Sequence, residues 1–122
     1  MLLTHDKEEK EMAAYDTLLV KIDKRSGGSR YRLYNVKQRI CDSALEVFDF
    51  PLDIVALRYS KVGYLGHELL IKLNDVEGIE RIDISPYCLC IEKNIVFNWE
   101  DLEADILFAI ETVVKKPVVL KD

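Results

Sequence analysis

The chain has 122 residues, three cysteines and a net charge of −5, and 49% of its residues are hydrophobic against 32% charged. That length is enough for one buried core and reads as a single domain. An odd cysteine count argues against a secreted disulfide framework, no apolar run reaches the ~20 residues a membrane span requires, and the acidic start Met1–Glu9 lacks the features of a secretory signal or a basic presequence. The expected location is therefore the cytoplasm, away from membranes.

Residues 1–12 are strongly charged and are expected to form a flexible acidic tail, with Met12 as an alternative start and a single folded domain over 13–122. Leu18, Val20 and Ile22 alternate with Leu19, Lys21 and Asp23, the period of a strand with one buried face. Arg25 to Arg30 contains Gly27-Gly28 and reads as a turn, and Tyr31, Leu33 and Asn35 alternating with Arg32 and Tyr34 read as the returning strand of a hairpin. This hairpin is basic: from Lys21 to Arg39 seven cations meet one acid, a local balance of +6 in a chain of net −5. Val36, Ile40, Ala44, Val47 and Phe48 fit a helical face in a segment that Pro51 ends, and Ile54 to Tyr59, β-branched at its start, reads as a third strand. A helix is expected over 67–74, with Leu69, Leu73 and Val76 inward and Gly78 at or just past its end.

The next stretch is the most regular in the chain. Ile82 and Ile84 alternate with Asp83 and Ser85, and Leu89 and Ile91 alternate with Cys88, Cys90 and Glu92, so two strands are joined by a turn at Ser85-Pro86. Asn98 is placed to cap a helix with its side chain; Glu100 and Asp101 suit the positive helix start, and Trp99, Leu102, Ile106, Ala109, Ile110 and Val113 make one apolar stripe. Pro117 stops that helix, and Val118-Val119-Leu120 is expected to dock as an edge strand. The elements together predict an α/β (α+β) two-layer sandwich, a mostly antiparallel sheet with helices chiefly on one face.

Residues 67–118 resemble the N-terminal domain of the Nfu/NifU-like iron–sulfur cluster scaffold proteins. The resemblance is carried by Leu69, Leu73, Val76, Glu77-Gly78-Ile79, Ile82, Pro86, Leu89, Ile91, Lys93, Trp99, Leu102, Ile106, Ile110 and Pro117-Val118. It implies that fold, with residues 36–62 as an elaboration on it, and a link to iron–sulfur cluster assembly in which the chain docks a scaffold or client protein. In that family a Cys-x-x-Cys pair on a second domain holds the cluster, and this sequence contains no Cys-x-x-Cys.

Two groups of residues could carry function. Cys88 and Cys90, two apart on a strand, share a face; with Leu89 and Ile91 turned to the core, both thiols and Glu92 fall on the opposite side. Thiolates select iron–sulfur, zinc or copper(I), but two sulfurs complete no four-ligand site, so no cofactor is expected on one chain and an iron–sulfur cluster would have to be bridged by a homodimer. The alternative is that both are small apolar fillers, as free cysteines commonly are. The second group is the basic hairpin: Lys24, Arg25, Arg30, Arg32, Lys37 and Arg39, interleaved with Tyr31 and Tyr34. It could dock an acidic protein surface or, alternatively, neutralise phosphates and stack bases as a nucleic-acid-binding module. Cys41 is expected in the core, and His5 and His67 have no partners at catalytic spacing. No Ser-His-Asp, P-loop or dinucleotide motif is present, so the expectation is a non-enzymatic interaction domain; a stand-alone regulatory domain without metal is the remaining alternative.

Overall fold

A computed structural model describes residues 16–24 and 29–121 of the chain. The expected tail at 1–12, His5, Arg25 and Gly27-Gly28 lie outside the described residues. Among the described residues six strands and three helices follow in chain order: β1 (Leu18–Lys24), β2 (Tyr31–Val36), β3 (Glu46–Asp49), α1 (Ile54–Arg58), α2 (Gly63–Leu73), β4 (Ile79–Ser85), β5 (Cys88–Lys93), α3 (Trp99–Val114) and β6 (Val118–Lys121). The strands form one sheet in the order β3-β4-β5-β2-β1-β6, antiparallel throughout except for β6, which runs parallel to β1 along the edge. This is the two-layer α+β architecture expected from the periodicities.

The alternation in sequence maps onto the two faces of the sheet. Val20 and Val36, Tyr34 and Leu89, and Ile91 and Ile82 oppose each other across neighbouring strands, and all are buried on one side. There they meet Leu69, Leu70 and Leu73 of α2 and Leu102, Ile106 and Ile110 of α3, which complete the core. At ~25 cal/mol per Å2 of apolar surface, this single layer of aliphatic side chains supplies the main driving force for folding. Gly78, just past α2, adopts φ 104°, and a Cβ there would lie 2.8 Å from the Phe97 ring, so glycine is required for α3 to close down on the sheet.

Four expectations are corrected. Residues 36–48 do not form a helix: the Ile40 and Asp42 N–H groups donate to the carbonyls of Pro86 and Val62, both at 2.8 Å, so the backbone threads past the β4–β5 turn and the start of α2 before entering β3. Residues 54–59 are not a strand. Asp53 caps α1 by accepting from the N–H groups of Val55 and Ala56 at 2.9 and 3.3 Å, and only Leu57 of this short helix is buried. Asn98 does occupy the cap position of α3, but its side chain makes no capping bond; its carbonyl instead accepts from the Asp101 N–H at 2.9 Å. The second helix also begins earlier than expected, at Gly63, where φ is 85°.

Candidate functional site

The two long helices lie on the same side, and no helix of the described residues covers the other face of the sheet. The strand register reads out its residues row by row. One row runs Val47, Asp83, Cys90, Leu33, Asp23; a second runs Ser85, Cys88, Asn35, Lys21, Lys121; a third runs Asp49, Arg81, Glu92, Tyr31. The rows mix apolar side chains with charges of both signs. Val47 is 51% exposed, and Leu19 and Tyr31 are each 37% exposed.

Cys88 and Cys90 do stand side by side on this face, partly exposed, as their spacing predicts. Their surroundings hold the sulfur of Cys88 as a thiol. Partial burial, then the neighbouring Cys90 and then Asp23 push it from the ordinary value of 9.0 up to about 11. Among the described residues no group of three or more His, Cys, Asp or Glu side chains is placed to hold a metal ion. Two sulfurs, one of them resisting ionisation, do not fit an iron–sulfur cluster within a single chain. Cys41 is buried on the helix side with its Sγ donating to the Ser43 carbonyl at 3.4 Å.

Two arginines of the basic hairpin are neutralised from within. The Arg30 guanidinium contacts Glu80 at 3.0 Å and Glu92 at 2.9 Å. Arg32 lies on the helix side, where it bonds the Glu103 carboxylate at 2.6 Å and sits 5.0 Å over the Trp99 ring. Tyr34 is fully buried, and its hydroxyl donates to the same Glu103 oxygen at 3.2 Å. Burial first, then the Glu103 charge and hydrogen bond, raise that hydroxyl's pKa well above the usual tyrosine value. Trp99 Nε1 closes the cluster by donating to the Ser29 carbonyl at 3.0 Å. Arg30, Arg32 and Tyr34 therefore fasten the hairpin to β4, β5 and α3, and Tyr34 presents no ring to a base. Arg39 donates to the Cys41 carbonyl at 3.3 Å. Of the hairpin residues named from the sequence, Lys24, Arg30, Tyr31, Lys37 and Arg39 stand exposed, Arg30 while held by its two carboxylates.

Of two further cations, Lys21 belongs to the basic stretch read from the sequence without being singled out as a contact, and Lys121 was missed. Lys21, on the exposed face of β1, is the cross-strand partner of Lys121 on β6. Both line a shallow cavity of about 310 Å3 with Lys37 and Tyr87. The alternation of β1 already placed Lys21 on that face; Lys121 becomes its neighbour only through a parallel pairing that no local signal reveals.

Known proteins bear on the fold. No protein-family profile matches the chain, and no curated protein matches it in sequence. Solved structures do match. The solution structure of a NifU-like protein from Saccharomyces cerevisiae superposes with a TM-score of 0.56 at 15% identity, covering 84% of each chain. Protein SAV1430 from Staphylococcus aureus matches with a TM-score of 0.45 at 15% identity, over 75% of this chain and 92% of that one. The likeness to the yeast structure means that the chain has a NifU-like fold. The resemblance read from residues 67–118 holds at that level.

Proposed function

We propose that this chain is a non-enzymatic accessory domain of iron–sulfur cluster assembly that docks a cluster-carrying scaffold protein through the uncovered face of its sheet. The observation that carries the docking mode is the one-sided helix layer: a six-stranded sheet turns Leu19, Leu33, Val47 and Tyr31 to a face on which no helix of the described residues packs. Fixed rows of half-exposed apolar side chains among paired charges are the makeup of a protein-docking surface rather than of a catalytic cleft. The NifU-like fold supports the link to cluster assembly. In this reading the cluster stays on the partner's own Cys-x-x-Cys pair, and Cys88 and Cys90 contribute small contact surface. Arg30 and Arg32 are held by carboxylates, so the nucleic-acid alternative loses these two cations of the hairpin as phosphate contacts.

The test is calorimetric titration of the protein with the cluster-loaded Cys-x-x-Cys domain of a NifU-like protein. Saturable binding is expected, weakened by Val47→Glu on the open face and unchanged by Tyr64→Ala on the exposed side of α2. Absence of binding, or equal loss from both substitutions, would sink the reading.

A further inference from the structure

We propose that the hollow at the β1–β6 end of the open face is a binding site for a small phosphorylated ligand, with the phosphate held by Lys21, Lys37 and Lys121. This goes beyond the docking role and does not depend on it. The hollow measures about 310 Å3, and Leu19, Asn35 and Tyr87 line it beside the three lysines; no acidic side chain of the described residues does. The backbone fixes the arrangement. Lys21 and Lys121 are register partners on neighbouring strands, whose backbones run ~4.8 Å apart. The Lys37 N–H donates to the Leu19 carbonyl at 3.0 Å, which pins the third lysine to the same end of β1.

Three arginines of the fold are compensated by carboxylates: Arg30 meets Glu80 and Glu92, Arg32 meets Glu103 and Arg81 meets Asp83. None of Lys21, Lys37 and Lys121 enters an ion pair among the described residues. A chain of net charge −5 thus gathers three uncompensated cations in one hollow, two of them directly opposed across strands. Like charges so placed repel and cost stability unless an anion joins them. A carboxylate offsets one such charge, whereas a phosphate monoester brings about −1.5 to −2 at neutral pH and three acceptor oxygens, matched by lysines acting as point charges. The Tyr87 ring at the rim, 56% exposed, offers a flat surface for the organic part of the ligand.

The probes are AMP, adenosine and a hexaglutamate peptide, each titrated calorimetrically into the full chain, with thermal melts in parallel. AMP is expected to bind saturably and raise the melting temperature, and adenosine to do neither. Lys121→Gln should weaken AMP binding about tenfold, the loss of roughly one charge-assisted contact. The same variant without ligand should melt no lower than wild type, because it removes a repulsion; this sign separates a ligand site from a structural lysine. Lys72→Gln on α2 should leave AMP binding unchanged. The proposal fails if AMP does not bind, if adenosine binds equally well, or if Lys72→Gln weakens AMP as much as Lys121→Gln does. It also fails if hexaglutamate binds with the same lysine dependence while AMP does not, which would assign the hollow to an acidic protein segment.

Discussion

At the scale of single residues the informative group is Cys88. Burial, Cys90 and Asp23 together hold its pKa near 11 against an ordinary 9.0. The thiol is the form the fold favours, so its contribution to stability is intact below pH 9 and is lost as pH rises from 9 towards 11. Its reactivity carries the same signature. At pH 8 the thiolate fraction is about a hundredfold below that of an unperturbed cysteine, since each pKa unit is a factor of ten. Alkylation by iodoacetamide, followed by peptide mass spectrometry, should accelerate tenfold per pH unit up to about pH 11 in the native protein. A plateau reached by pH 9 would show that the sulfur is ordinary and would remove the electrostatic objection to metal binding at the pair.

At the scale of elements the decisive knot is the one that ties β2 to the first turns of α3. The Glu103 carboxylate receives both the Arg32 guanidinium and the Tyr34 hydroxyl, and Arg32 in turn lies against Trp99. Glu103→Ala would leave a buried hydroxyl and a largely buried guanidinium without their acceptor. A cost of about 2 kcal/mol is expected, the penalty for orphaning such groups. Chemical denaturation should show the midpoint falling with the slope unchanged; a midpoint within error of wild type would mean that water replaces the carboxylate. This knot also marks what was legible in the sequence. Strands β1, β2, β4 and β5 were readable because each buries one face, which forces apolar residues to every second position. The helix at Ile54–Arg58 was not, since only Leu57 is buried and no period survives; the one available signal was Asp53 at its cap. Residues 36–45 were opaque for another reason: their backbone bonds go to Pro86 and Val62, partners that no local pattern names. For the candidate site, the shared face of Cys88 and Cys90 followed from a spacing of two. The neutralisation of Arg30 by Glu80 and of Arg32 by Glu103 did not, because the paired residues are 50 and 71 positions apart.

At the scale of the whole molecule the question is whether two copies could combine their thiols. A four-ligand cluster needs four sulfurs, so a chain carrying Cys88 and Cys90 could reach that number only by presenting its open face to a second copy. Such a pairing would be self-complementary around the cysteines, and each copy would bring its own Asp23 and Asp83 close to the added thiolate charge. Of the cations on that face, Arg81 is already paired with Asp83, and Lys21, the one lysine of β1 in the row of Cys88, is separated from it by Asn35. Charge therefore accumulates where a cluster would form, and the raised pKa of Cys88 expresses the same opposition within one chain. Anaerobic reconstitution with iron and sulfide should accordingly leave a colourless protein, and sedimentation should find the same monomer before and after. The opposite result has a specific form: a cluster stoichiometric with two chains, sedimenting as a dimer and lost in the Cys88→Ser, Cys90→Ser double variant. That outcome would move the cluster from the docked partner to this chain and turn the open face from a docking surface into a dimer interface.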